Sequence, residues 1–260
     1  MNRRKPCSTT RISILLVTAV SVVSMLGAGA PRCIAAEPLK IHILSGSGEY
    51  KSEASLKAFL SVLEKHVDTT VTASWVKDGA KDLPGIKHLP EADLLIVFAR
   101  RMKLPTEQMQ VVRRHWESGK PVIGIRTASH AFGNEDNEVF DRRVLGGNYQ
   151  GHFGADPVVV RAAEKANEHP VLEGVGPIVS RKLYKAGPLA EGAVVLQTGT
   201  IEAKDATHPV TWVHQYKGGR MFYTSLGVPE DFENEHFRQM LVNAVRWTTK
   251  REAVKPHRRQ

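Results

Sequence analysis

Cysteine is nearly missing. The two that occur, Cys7 and Cys33, both fall within the first 36 residues. The rest of the chain therefore excludes a structural disulfide, a cysteine nucleophile and thiolate metal ligands. No Gly-x-Ser-x-Gly occurs, which argues against a serine hydrolase of the nucleophile-elbow type. Eleven histidines are present, yet none form His-x-x-x-His or His-Glu-x-x-His. A metal site could assemble only from separate loops, for example His130, His152 and Glu49, and a metal-free site is the simpler expectation. Ser45-Gly46-Ser47-Gly48-Glu49-Tyr50 is a glycine-bearing loop but not Gly-x-Gly-x-x-Gly, so a dinucleotide cofactor is unsupported. No cofactor is expected. There is no internal repeat and no interior linker, which favours one folded domain.

A folded basic face is also missing, although the chain carries a net charge of +9. Residues 1–36 hold Arg3, Arg4, Lys5, Arg11 and Arg32 with no acid. The tail from Lys250 holds five basic residues and one acid. Those two ends carry all of the excess, so residues 37–249 sum to zero. Nucleic-acid binding, which asks for a basic face on the folded domain, is therefore rejected.

What is present begins with an export pattern. Basic residues precede an apolar run from Ile12 to Ala30, and small residues follow at Ala28-Gly29-Ala30 and Cys33-Ile34-Ala35-Ala36. This is the order of a signal peptide spanning 1–36. It places the protein in the periplasm or secreted. The apolar run is long, so an uncleaved membrane anchor is the alternative. Residues 37–249 are expected to form the domain, and 250–260 a solvated basic tail.

The domain reads as alternating strands and helices. Strands are predicted at 40–44, 71–76, 94–98 and 121–125, with helices near 52–66 and 106–118. Leu56, Phe59, Leu60 and Leu63 form one buried stripe. Ser52 and Thr106 are candidate N-caps, and Gly119 is placed to end the second helix. This spacing predicts βαβ crossovers and a parallel sheet. Further strands are expected at 158–160 and 193–196. Residues 144–153 read as a glycine-rich loop over the sheet edge, and 169–175 as a turn-rich connection. Two runs flanking Lys217-Gly218 signal a hairpin over 209–226, and 234–249 an amphipathic closing helix.

In an open α/β sheet, ligands bind beyond the carboxyl ends of the strands. Arg126-Thr127-Ala128-Ser129-His130 follows the apolar run Val122-Ile123-Gly124-Ile125 and would sit there. The loops holding Gly46, Ser47 and Glu49, and Arg100-Arg101, should open onto the same cleft, with the His152 loop folded over it. Arg100, Arg101 and Arg126 suit an anionic or polyhydroxylated ligand through forked hydrogen bonds. Thr127 and Ser129 add hydroxyls. His152 is the leading acid–base candidate, followed by His130 and Glu49. The bland alternatives are that Arg126 pairs with a carboxylate, that Thr127 or Ser129 caps a short helix, and that His152 bonds a nearby backbone group. Ser129 and His130 are not expected to form a dyad, since consecutive side chains point apart. Trp212 and Tyr223 are more simply sheet packing than a sugar platform.

Several stretches carry a family resemblance. They are Gly124-Ile125-Arg126-Thr127-Ala128, Leu145-Gly146-Gly147 with Gly151-His152-Phe153, and His169-Pro170-Val171-Leu172-Glu173-Gly174-Val175. The C-terminal pattern adds Pro209-Val210-Thr211-Trp212, then Tyr216 to Gly227, then a helix ending Ala244-Val245-Arg246-Trp247. From about Lys40 to Trp247 the chain resembles the trehalose-utilisation (ThuA-like) family. The resemblance implies a class I glutamine amidotransferase-like fold, a flavodoxin-like three-layer α/β sandwich. It also implies a carbohydrate ligand, with keto-sugar metabolism in some members. The departures bear on activity. The position of the amidotransferase cysteine is filled by Arg126, so thiolate glutamine hydrolysis is excluded. Relatives carry an acidic pair where this chain has Arg181-Lys182, and commonly a His where it has Val228. Two readings follow: an exported enzyme acting on a sugar or sugar derivative, or a non-catalytic carbohydrate-binding module. A titratable pair facing one cleft would separate them.

Overall fold

The computed structural model describes residues 37–133, 135–164 and 166–251. The expected leader and all but the first two residues of the basic tail lie outside the described residues.

Four short apolar runs form the parallel heart of the sheet. They are β1 (Leu39–Gly46), β2 (Thr69–Trp75), β3 (Leu94–Ala99) and β4 (Val122–Ile125). β3 is buried at all six positions, which explains a continuous apolar run rather than alternation. The spatial order is β2-β1-β3-β4, every pair parallel. β1 thus lies between two strands that follow it, which makes its end a topological switch point.

Two helices join these strands. In α1 (Ser52–Leu63) the face carrying Leu56, Phe59 and Leu63 packs on one side of the sheet. In α2 (Thr106–Glu117) Met109, Val112 and Trp116 pack on the other. Full burial of each such side chain contributes roughly 1.5–3 kcal/mol. Gly119 (φ 76°) ends α2, and a side chain there would strike the Lys217 carbonyl.

Neither expected cap forms. The N-cap of α1 is Lys51 and that of α2 is Pro105, without a side-chain cap in either case. Ser52 is already inside its helix. Its hydroxyl turns back to accept the Ser47 N–H at 2.9 Å and meets Ser45 Oγ at 2.8 Å.

The second half adds antiparallel strands. A short helix, α3 (Glu135–Glu138), runs into a π-helical turn over Val139–Val144. β5 (Tyr149–His152) follows, then β6 (Pro157–Ala162), β7 (Ile178–Arg181), β8 (Tyr184–Ala186) and β9 (Val194–Ile201). β10 (Ala206–Tyr216) and β11 (Gly219–Thr224) form the hairpin around Lys217-Gly218. β11 pairs parallel with β4, and the sheet continues through β10, β9, β6 and β7. α4 (Glu235–Thr248) closes the face shared with α1, and Asn234 caps it by accepting the His236 and Phe237 N–H groups. The result is a flavodoxin-like α/β sandwich.

Residues 144–153 correct the loop expectation. Residues 149–152 are strand β5, paired with β8 in a separate two-stranded sheet. β7 and β8 were not foreseen: at four and three residues they are too short to show periodicity.

Candidate functional site

The carboxyl ends of β1, β3 and β4 meet as the topology requires. The Arg100 N–H donates to the Gly46 carbonyl at 2.9 Å, and the Arg101 N–H to the His130 carbonyl at 2.9 Å. Arg100 Nη1 lies 3.4 Å from Glu49 and 3.3 Å from Asp78, and Lys182 Nζ lies 3.0 Å from Glu49. The network thus joins four loops, after β1, β2 and β3 and between β7 and β8. Burial pushes the Glu49 carboxyl up, but the Lys182 and Tyr50 hydrogen bonds and the Lys182 and Arg100 charges outweigh it. The net shift is downward.

After β4 the chain turns sharply. Arg126 has φ 50°, a left-handed conformation rare outside glycine, and residues 126–130 form a 3-10 turn. Gly227 (φ 128°) leaves room for this turn, since a side chain there would lie 2.9 Å from Ile125 Cγ2 and 3.3 Å from Arg126 Cβ.

The Arg126 side chain points inward and is 1% exposed. Nη1 donates to the Ser225 carbonyl. Nη2 donates to the Lys182 carbonyl at 2.9 Å and lies 3.5 Å from the Tyr50 hydroxyl. The guanidinium sits 4.6 Å from the Tyr50 ring centre and 4.3 Å from that of Tyr184. Burial disfavours its charge, yet Tyr184 and Tyr50 outweigh burial and hold it above its ordinary value. No carboxylate pairs with it directly among the described residues, so the bland carboxylate expectation is corrected: carbonyls and rings do that work. Asp231, buried and bonded by Ser180, Gly227 and Val228, feels its charge.

Above Arg126 runs an aromatic row. The His130 ring stacks on Tyr149 at 4.5 Å, Tyr149 meets Tyr184 at 4.7 Å, and His152 reaches Tyr184 at 6.3 Å. Tyr149 is half-buried and His152 exposed. His152 Nδ1 contacts the Phe153 carbonyl at 2.7 Å, which is the backbone bond of the bland reading. His130 lies within reach of three arginines. Burial first, then Arg100, Arg101 and Arg126, lower it to about 3.

One expectation is corrected here. Ser129 Oγ lies 3.1 Å from His130 Nδ1. Consecutive side chains in a 3-10 turn are only about 120° apart, so they can meet where a strand would hold them apart. Ser129 is nevertheless 2% exposed, and it caps no helix. Thr127 is fully buried and its hydroxyl lacks a partner among the described residues. Ser47 is in the same condition. Gly46 lies flat at the end of β1, where a side chain would strike Val76. Arg101 is exposed and, like Arg126, left-handed (φ 51°).

Sequence reasoning missed Tyr50, Tyr149 and Tyr184, and met Lys182 only as a departure from the acidic pair of relatives. Only Tyr50 and Tyr149 sit in loops already singled out. Tyr184 arrives from β8, which showed no periodic pattern, and Lys182 from the approach to it. Among the described residues no cluster of three or more His, Cys, Asp or Glu could hold a metal.

A family model described as "Trehalose utilisation" matches residues 40–248. Solved structures share the fold. A ThuA-like protein from Bacteroides uniformis is 20% identical with a TM-score of 0.61, covering 85% of this chain and 95% of its own. A ThuA-like protein from Parabacteroides merdae is 14% identical with a TM-score of 0.65, covering 85% and 93%. A β-galactosidase from Rahnella matches over 82% of this chain but only 31% of its own, at 14% identity and a TM-score of 0.55. No curated protein matches the sequence.

Proposed function

Because the chain belongs to the trehalose-utilisation (ThuA) family, we propose that it binds a sugar or sugar derivative at the carboxyl edge of its sheet without transforming it. One observation carries this reading. The turn after β4, where the related amidotransferase fold seats its nucleophile, holds a buried guanidinium bound by the Ser225 and Lys182 carbonyls between two tyrosines. Arg126 is thus a positioning residue that seals the turn and supports Tyr184.

The proton chemistry agrees. A general acid or base works best with a pKa near the operating pH. His130 is held near 3 and stays neutral. Glu49 is held low by two cations and stays ionised. Neither exchanges a proton near neutrality. What is left suits recognition: the half-buried Tyr149 ring offers apolar area, Gln150 and His152 on the same strand are exposed hydrogen-bonding groups, and the exposed Arg101 is near enough for Tyr149 to feel its charge. A polyhydroxylated ring asks for that combination.

The enzyme reading rests on His152, whose exposed ring could still reach a ligand. The test is a calorimetric titration with neutral sugars and 3-keto-sugars, with and without divalent cations, each mixture then assayed for product by NMR. Saturable binding with the sugar recovered unchanged supports the proposal. Turnover, or no binding across the panel, overturns it. Export is part of the same reading, supported by the leader pattern of residues 1–36. N-terminal sequencing of the mature protein should begin near residue 37, an intact Met1 in the membrane fraction would favour the uncleaved anchor, and an intact Met1 in the cytosolic fraction would count against export.

A further inference from the structure

The aromatic row lies among cations that outnumber their partners. Three arginines act on it, Arg100, Arg101 and Arg126, and two of them are already used. Arg126 is buried, with its Nη groups on the Ser225 and Lys182 carbonyls. Arg100 is divided between Glu49 at 3.4 Å and Asp78 at 3.3 Å. Glu49 is also shared with Lys182 at 3.0 Å, so the acids of this edge have no charge to spare. Arg101 is left. It is exposed, and its side chain has no hydrogen-bond or ion-pair partner among the described residues.

The backbone fixes Arg101 beside the row. Its N–H donates to the His130 carbonyl at 2.9 Å, the Met102 N–H to the Ala131 carbonyl at 2.7 Å, and the Gly133 N–H to the Met102 carbonyl at 2.8 Å. On its other side the Arg100 N–H donates to the Gly46 carbonyl at 2.9 Å. The residue that accepts the Arg101 N–H is also the one whose ring stacks on Tyr149 at 4.5 Å. Both rings feel the guanidinium. At His130 burial comes first, then Arg100, Arg101 and Arg126, all lowering the imidazole. At Tyr149 burial and Tyr50 raise the hydroxyl, and Arg126, Arg101 and Arg100 oppose them.

A neutral sugar leaves this cation unanswered. A guanidinium fork matches the two oxygens of a carboxylate, and a single spare charge matches a monoanion better than a dianion. We propose that the ligand of the aromatic row is a sugar acid, a pyranose bearing one carboxylate, with its ring on Tyr149 and its carboxylate on Arg101. Arg101 is then the residue that sets specificity. The proposal rests on the sugar reading above and narrows it.

Glucose and glucuronate differ only at C6, where glucuronate carries the carboxylate. The full chain is titrated with each, and with glucose 6-phosphate, at constant ionic strength. Affinity is read by calorimetry and location by the Tyr149 ring signals in NMR. Glucuronate should bind at least about tenfold more tightly than glucose and shift Tyr149 saturably. Arg101→Gln, shown to be folded by circular dichroism, should bring glucuronate down to the level of glucose. Arg101→Lys should recover part of the preference, since it keeps the charge without the fork. Glucose bound as tightly as glucuronate overturns the proposal and leaves the sugar reading standing. So does a preference for glucuronate that survives in folded Arg101→Gln, or glucuronate binding with Tyr149 unmoved. Glucose 6-phosphate binding more tightly than glucuronate refutes the choice of a carboxylate. If neither sugar binds, the sugar reading itself falls and the proposal falls with it.

Discussion

The turn after β4 and the turn after β1 stand on one edge of one sheet, and both carry a cation in a left-handed conformation. Arg126 (φ 50°) is buried and every Nη is used. Lys51 (φ 47°) is exposed with nothing to hold. The contrast teaches that backbone strain alone does not mark a working site. At Arg126 the surrounding carbonyls and rings over-determine the strain, so the turn is structural. At Lys51 the strain is met by the backbone of the turn itself, where its N–H donates to the Gly48 carbonyl at 3.0 Å and its carbonyl accepts the Ser55 N–H at 3.0 Å, while the side chain stays exposed.

The largest effect should come from breaking the sealed turn. Arg126→Ala leaves the Ser225 and Lys182 carbonyls without their donor and opens a cavity between two tyrosines. Urea denaturation should show a loss of about 3–5 kcal/mol. Arg126→Lys should lose less, since it keeps charge but not the planar fork. A stability unchanged by Arg126→Ala would mean the turn is not held as described.

Acid should act next. Burial lowers His42 and His115 to about 4, and burial with three arginines lowers His130 to about 3. A group whose folded pKa is depressed contributes stability present above its unfolded pKa of about 6.5 and lost as pH falls through the folded value. Melting temperature should therefore drop steeply between about pH 6.5 and 4.

Asp141 works in the opposite direction. Burial raises it to about 6, against the Tyr149 N–H that bonds it. A raised pKa gives stability that is full below about 3.8 and lost as pH rises through about 6. Asp141→Asn should therefore gain about 1–3 kcal/mol at pH 7 and make the acid decline steeper, read from melts across pH 4–7.5. A variant with the wild-type pH profile would contradict this.

Smaller effects test the open side. His152→Ala should weaken sugar affinity about five- to tenfold without changing stability, whereas abolished turnover would restore the enzyme reading. Lys51→Gly should raise stability by about 0.5–1 kcal/mol, from relief of strain and of the adverse dipole. A loss of stability there would mean Lys51 makes contacts not seen.

Much of the fold was legible in the sequence. β3 and β4 announce themselves as unbroken apolar runs, and Leu56-Phe59-Leu63 fix the buried face of α1, because burial on one or two sides leaves a periodic mark. The caps were misjudged at Ser52 and Thr106 because a hydroxyl near a helix start has several backbone partners within reach, and Ser52 chose the Ser47 N–H. β8 was invisible at three residues, and with it Tyr184, the ring on which Arg126, His130 and His152 converge. Convergence on a site built from separate strands depends on which segments pair, and β5 with β8 is a long-range pairing that no local pattern records.

The contrast between sealed and open sides is tested most directly by NMR titration of the full chain with the sugar that binds best. Binding at the aromatic row should shift the ring signals of Tyr149 and His152 saturably and leave the Arg126 Nε–H signal in place. A saturable shift of Arg126 Nε–H with Tyr149 and His152 unmoved would place the ligand in the turn after β4 and contradict the account.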